Sequence, residues 1–348
     1  MLEVSKILTF VVPSYNCEKF LDKCLSSFAD SEVLDKLEII VVNDGSSDGT
    51  EKIALSYAEK YPDSFRVISQ ENKGHGGALN TGIGAAAGKY VKAVDADDWV
   101  ETGELPTFVS MLEECSSDVV LTHHYTIDVG TGEIKKWKSF PEKFGVSYDF
   151  IHIMNNWKSF DRSLTFHGIT YNTAFYKKYG MQLSEHVFYE DHEYATVPCC
   201  YAKSITPFDI FVYDYRVGDV EQSVSEANQL KRLGHTQTVL ERFLSEYPKL
   251  RLKKGCYGRK YFCMKAQGLL LSYLRTALLV EPDRKKGREE ARYITDRFKN
   301  EIRPVYDLAK RQYKAFMMMN RSHVSLNTFE KILSSKLYNK LRGNHDFN

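Results

Sequence analysis

The stretch GKYVKAVDADDWV, Gly88 to Val100, ends an apolar run with Asp95, Asp97 and Asp98. Carboxylates this close repel one another and are costly to bury without a partner. Either water solvates them on a turn that caps the next helix, or a cation sits among them. A divalent ion such as Mg²⁺ or Mn²⁺ takes one or two carboxylates and completes its shell with water and phosphate oxygens. Upstream, VVNDGSSDGT sets Asp44 at a strand end, followed by Gly45 and two serines. That arrangement can present a carboxylate and backbone N–H groups to a polar ligand. Asp48 reads as the cap of the next helix, a duty that Asp44 does not share. In PSYN, Pro13 fixes the exit of the chain and Tyr15 offers a ring to stack on a base; a structural turn explains it equally.

Two later stretches complete the set. FYEDHEY puts Glu190 and Asp191 side by side at a helix start. Acids there suit the helix dipole, and one of them could equally be a general base. YDYRVGDVEQSVS runs from a strand end into a polar loop. Arg216, Ser223 and Ser225 in it could hold phosphate oxygens, because guanidinium and hydroxyl donors match that geometry. The plain alternative is an exposed connection.

Other residues invite chemistry that their context rejects. Gly82 to Ala87 fits a dinucleotide fingerprint on paper, but it lies late in a helix and precedes a strand, so NAD is excluded. His123, His124 and His167 have no metal-ligand spacing and read as structural. Seven scattered cysteines, none in a C-x-x-C, read as a reduced, cytosolic chain. Cys199 and Cys200 read as small core residues in a helix, and Met317 to Met319 as packing.

The elements that must position these groups alternate. ILTFVV, LEIIVV, FRVIS, KYVKAV and DVVLTHH read as strands, separated by helices that include GGALNTGIGAAAG; Gly74 to Gly77 read as a loop approaching a ligand. Strands alternating with helices imply a mostly parallel, Rossmann-like βαβ sheet, an α/β fold whose ligands bind at the carboxyl ends of the strands. The stretch from Tyr125 to Phe166 is irregular and aromatic. FYEDHEYATVPCCYAK reads as a helix and SITPFDIFVYDYR as one or two strands. From Glu226 the chain reads as almost wholly helical, with a boundary near that residue.

The formal net charge of +1 gives no hint of nucleic acid as a partner. The apolar N-terminal run lacks a basic n-region and a cleavage site and reads as the first strand. GLLLSYLRTALLV is broken by Arg275 and too short to span a bilayer.

Together and in this order, VVPSYN, IIVVNDGSSDGT, ENKGHGGALNTG, GKYVKAVDADD and FYEDHEY resemble the family-2 inverting glycosyltransferases of the GT-A fold. The resemblance covers roughly Ile7 to Ser225. It implies a nucleotide-sugar half over about 1–124, an acceptor half over about 125–225, and a helical C-terminal region over 226–348 outside the resemblance. It further implies a nucleotide-sugar donor, usually UDP-linked, with Mn²⁺ or Mg²⁺, and a hexosyl or N-acetylhexosaminyl group passed to a saccharide or lipid-linked acceptor hydroxyl, as in polysaccharide or glycoconjugate synthesis. By the same resemblance, Pro13, Tyr15 and Asn16 line the base pocket and Asp44 binds base or ribose. Lys73, Gly74 and Gly77 pass beside the nucleotide. Asp95 and Asp97 form the D-x-D pair, Asp97 and Asp98 hold the metal, and Asp191 is the base. Arg216, Ser223 and Ser225 look like the loop that closes over the diphosphate.

No Q-x-x-R-W motif is present, which implies addition of one sugar at a time. The competing reading is a non-catalytic or nucleotidyltransferase-like nucleotide-sugar-binding protein. A nucleotidyltransferase needs a glycine-rich basic loop after the first strand, and PSYNCEKF is not one. The expected location is cytoplasmic. The basic clusters RLKKGCYGRK and DRKKGREEAR could touch the inner face of a membrane or form a homo-oligomer contact.

Overall fold

The computed structural model describes residues 6–218 and 226–324. Among these residues the chain forms two compact units, and Arg251–Phe262 returns to pack with the first.

The first unit is built on a nine-stranded sheet. Its strands are β1 (Leu8–Ser14), β2 (Leu37–Asn43), β3 (Phe65–Ser69), β4 (Tyr90–Ala93), β5 (Trp99–Val100), β6 (Val119–Asp128), β7 (Ile134–Trp137), β8 (Ile169–Asn172) and β9 (Ile205–Val217). They lie in the order β3-β2-β1-β4-β8-β6-β9-β5, with β7 on β6. β3, β2, β1 and β4 run parallel. This is the half that the alternating pattern implies: β1 is buried along its whole length, so its run is apolar rather than alternating. β8 enters antiparallel between β4 and β6, and β9 returns parallel to β6. SITPFDIFVYDYR is thus one long strand.

Helices cover the sheet: α1 (Glu18–Ala29), α2 (Thr50–Lys60), α3 (Gly74–Ala85), α4 (Leu105–Glu114), and the short α5 (Phe150–Asn155), α6 (Thr173–Tyr179) and α7 (Asp191–Thr196). Phe10, Phe28, Leu25, Ile39, Val41, Tyr90, Phe108, Val212 and Tyr213 form one buried core between sheet and helices. The sheet interior also holds a lysine. Lys92 on β4 is buried, and burial alone brings its pKa down to about 7.

Four local expectations are corrected. Gly74–Gly77 is the first turn of α3 and not a loop. The turn lies so close to the chain at 183–190 that a Cβ on Gly76 would overlap Ser184 O and come within 2.9 Å of Glu190 Cγ. Asp48 stands one residue before the N-cap position, which Gly49 occupies, although its carboxylate still accepts from Thr50 N. FYEDHEYATVPCCYAK is not one helix: Pro198 follows α7, and Pro198–Tyr201, which carries Cys199 and Cys200, is a 3-10 turn. Of the methionine run, Met317 is buried but Met318 is exposed.

The second unit is helical: α8 (Glu226–Lys231), α9 (Leu233–Glu246), the later turns of α10 (Tyr257–Arg275), α11 (Arg284–Glu301) and α12 (Arg303–Arg321). Leu240, Phe243, Leu270, Leu274, Ile294 and Phe298 are buried. Asn320 is fully buried and satisfied, donating to Leu278 O and accepting from Arg288. No helix among the described residues is long and apolar enough to cross a membrane.

Candidate active site

The carboxyl ends of β1, β2 and β4 meet along one rim because these strands are parallel. At the end of β1, Pro13 is still paired with Val42 inside the sheet, and Tyr15 stands out, 54% exposed. Asn16 takes a left-handed backbone, φ 48°, an arrangement that asparagine tolerates better than most residues. Its side-chain oxygen accepts from Ser47 N at 2.9 Å, which ties the first rim loop to the second. Asp44 directly follows β2, is almost wholly buried and accepts from Gln70 Nε2 at 2.7 Å and Lys73 N at 2.9 Å. It therefore anchors the entrance to α3, a structural duty beside any contact with a ligand. Gly74 has φ +77°, and a Cβ there would meet His186 N at 2.7 Å. A Cβ on Gly77 would overlap the Lys73 side chain.

The acids after β4 are held by β9. β5 pairs with β9 so that Trp99 lies opposite Asp214. This brings Asp98 to Tyr213, whose hydroxyl donates to its carboxylate at 2.5 Å, and to Arg216 N, which donates at 2.7 Å. The same hydroxyl accepts from Asp95 N at 3.1 Å. Asp95, Asp98 and His167 each present one ligand atom, all within 4.8 Å of one another. Asp97 is half-buried and is not one of the three. Burial and the charge of Asp95 push the Asp97 carboxyl up to about 6. Burial, then Asp95 and Asp97, push Asp98 well above the usual carboxylate range. Crowded acids of this kind are relieved by a cation.

The donor set fits a divalent metal. Each carboxylate oxygen keeps a second lone pair beyond its hydrogen bond. Burial pushes His167 down to about 4, so its imidazole is neutral and able to ligate. Its ring stacks on Tyr215, with centroids 4.2 Å apart.

His75 has the opposite state. Burial works against its proton, but the charges of Asp95 and Glu190 hold its pKa well above the usual value. Nε2 lies 2.8 Å from Asp95 Oδ1, and Nδ1 lies 2.5 Å from Glu190 Oε1. A first-turn residue of α3 thus links the strand-end acids to the Glu190–Asp191 pair. The segment leading to that pair is fixed by α3 as well. Asn80 exchanges two hydrogen bonds with Leu183, and Lys73 O accepts from His186 N. Ser184 then binds Glu193 through both N and Oγ. Tyr189, just before the pair, is held at φ 75°. Asp191 is half-buried at the start of α7, close enough for its charge to act on His167 and Tyr215.

The Arg216 guanidinium stands 4.4 Å over the Phe20 ring, and its charge acts on Asp97. Ser223 and Ser225 lie outside the described residues. Sequence reasoning missed His75 and set His167 aside as structural. Neither has a local spacing that marks it. His75 reaches a partner 115 residues away. Gly74 and Gly77 lie in the first turn of α3, where close packing against His186 and the Lys73 side chain by itself calls for glycine.

Residues 9–180 match the model of Glycosyl transferase family 2. Glycosyltransferase GlyA of Streptococcus pneumoniae is 36% identical over 125 residues, which is 36% of this chain and 18% of GlyA. A putative glycosyltransferase of Bacillus subtilis, EpsH, is 44% identical over 94 residues, 27% of each chain. The chain therefore spans much less than two thirds of these relatives. Among solved structures, residues 1–349 of Staphylococcus aureus TarS, crystallised in complex with UDP-GlcNAc, share the fold at a TM-score of 0.67 and 20% identity. That similarity covers 93% of this chain and 92% of the other. The fold is thus that of the GT-A glycosyltransferases, with a mostly parallel sheet and a helical C-terminal region.

Proposed function

The chain belongs to glycosyl transferase family 2, and on that premise we propose that it moves a hexosyl or N-acetylhexosaminyl group from a UDP-sugar to an acceptor hydroxyl, with inversion. The observation that carries this reading is the His75 bridge, which sets the Glu190–Asp191 pair beside Asp95 at the carboxyl rim of the sheet. The charge of Asp191 also acts on His167 and Tyr215, which supports a base working beside the acids that would organise a diphosphate. The TarS neighbour was also crystallised with UDP, which makes UDP-sugars the first donors to try.

In this reading residues 1–124 hold the donor and 125–225 the acceptor, and 226–348 form a helical region to which the reading gives no part. Pro13, Tyr15, Asn16 and Asp44 flank the base and ribose. Lys73, Gly74 and Gly77 flank the nucleotide, and Arg216, Ser223 and Ser225 the diphosphate. Asp95, Asp98 and His167, with Asp97 beside them, would hold Mn²⁺ or Mg²⁺, which when bound supplies positive charge for the departing diphosphate. Asp191 accepts the proton of the acceptor hydroxyl as the oxygen bonds to the anomeric carbon. The C–O bond to the diphosphate breaks on the opposite face. One displacement inverts the configuration. Arg216 adds charge stabilisation on the leaving side.

The test is to incubate the protein with UDP-GlcNAc, UDP-glucose, UDP-galactose and GDP-mannose in MnCl₂ and to measure nucleotide release. The reading expects faster release from one or more UDP-sugars, lost on adding EDTA. Release that is faster from the GDP-sugar would overturn the UDP assignment. No release from any donor, with or without a saccharide acceptor mixture, would favour a binding protein.

A further inference from the structure

Lys92 is not one of the three candidate metal ligands, yet its surroundings are unusual. The side chain is fully buried on β4, three residues before Asp95. No carboxylate pairs with it among the described residues. Its Nζ donates to His167 O at 2.6 Å and to Ile169 O at 3.2 Å. Burying an ammonium without a counter-charge is costly, and a methionine or leucine would fill the same strand position without that cost. Lys92 also reaches no solvent, so it is neither a nucleophile nor a donor to substrate.

The two carbonyls it binds flank Gly168, whose own carbonyl accepts from Thr122 N at 2.9 Å. Three consecutive carbonyls are therefore tied down, two by Lys92 and one by β6. A Cβ on Gly168 would overlap Ser163 O, so the turn cannot move toward that side. His167 leaves this turn with its ring stacked on Tyr215, edge-on to Tyr213 at 4.9 Å and beside His124 at 5.1 Å. The strand that delivers Asp95 thus also carries the group that fixes the backbone of His167.

We propose that Lys92 is a positioning residue of the metal site: its Nζ fastens the His167 backbone to β4 and so sets the imidazole at ligand distance from Asp95 and Asp98. This rests on the reading that these three residues hold a divalent cation.

The experiment is calorimetric titration of Mn²⁺ into the protein saturated with UDP, for the unmodified chain, Lys92→Met, His167→Ala and the double variant. Residues that orient metal ligands typically contribute about 10–100-fold in affinity, and a loss of that size is expected for Lys92→Met. Because Lys92 acts through His167, the double variant should bind no more weakly than the weaker single variant. Thermal unfolding without metal confirms that each variant is folded at the titration temperature. If Lys92→Met does not fold, Lys92→Gln keeps one hydrogen-bonding arm and should give an intermediate loss. Unchanged Mn²⁺ affinity in the folded Lys92 variant, or losses that multiply in the double variant, overturns the positioning role while leaving the metal site standing. Failure of the unmodified protein to bind Mn²⁺ overturns both.

Discussion

His75 Nδ1 lies 2.5 Å from Glu190 Oε1, while the other nitrogen of the same ring lies 2.8 Å from Asp95 Oδ1. One imidazolium therefore neutralises two acids that arrive from distant parts of the chain. The helix that carries it begins with four residues, GHGG, of which only the histidine has a side chain beyond Cα. The glycines let the helix approach the 183–190 segment, and the histidine bridges what that approach brings together.

The first prediction is a pH-dependent stability difference between the unmodified protein and His75→Gln. The His75 pKa is raised on folding, so its contribution is complete below about 6.5 and is lost as pH rises through the folded value. Burial opposes ionisation of Asp95, but the His75 charge lowers its pKa overall, so its contribution is present above about 3.9 and lost as pH falls through the folded value. Melting temperatures in EDTA should therefore differ most between about pH 4 and 6.5 and converge in alkali. A difference of constant size from pH 5 to 10 would contradict the ion bridge.

The second concerns the crowded acids. Asp97 is raised to about 6 and Asp98 well above the normal range, so both bind protons more tightly folded than unfolded. The metal-free fold should lose stability as pH rises from about 4 through 6, against the trend set by Asp95. MnCl₂ with UDP should raise the melting temperature more at pH 7.5 than at pH 5, and Asp97→Ala with Asp98→Ala should remove the metal-dependent part. Ligand at a hundred times its Kd stabilises by about 2.7 kcal/mol, enough to be read in a melt. Equal shifts at both pH values would argue against carboxylate ligation.

The third separates two glycines on one helix. Gly76→Ala would overlap Ser184 O and crowd Glu190 Cγ, and overpacking of this kind costs about 1–3 kcal/mol. Gly84→Ala meets nothing within 4 Å, so it should be neutral or stabilise by up to about 1 kcal/mol through helix propensity. Urea unfolding of the two variants gives the comparison. Equal effects would mean that α3 does not press on the Glu190 segment.

The strand-end acids were legible because chemistry and architecture coincide in one short window: an apolar run stopping at three aspartates can be read without coordinates. Asp44 was legible for the same reason, although its hold on Lys73 N was not. The parallel half of the sheet followed from alternation, whereas the antiparallel insertion of β8 did not, since nothing local in ITYN states which strand it joins. His75 and His167 stayed hidden because a histidine's state depends on what surrounds it. One sits between two acids and keeps its proton; the other sits among rings and loses it. Lys92 drew no notice within its apolar strand, since the carbonyls that receive its Nζ lie more than 70 residues further along the chain. The glycines of GHGG were read as a loop because composition cannot distinguish a free turn from a helix pressed against its neighbour.

The measurement that bears most directly on the account is steady-state transfer by Asp191→Asn, with metal-dependent UDP binding measured on the same sample. The substitution keeps the shape and removes the basicity. General-base assistance is typically worth about 10²–10⁴-fold, so turnover should fall by that factor while UDP affinity in Mn²⁺ stays near that of the unmodified protein. Glu190→Gln serves as the comparison: it takes a charge from the His75 bridge, so it should lower the melting temperature and cost less in turnover. Near-normal transfer by Asp191→Asn, with transfer lost in Glu190→Gln, would contradict the account and move the base to the neighbouring residue.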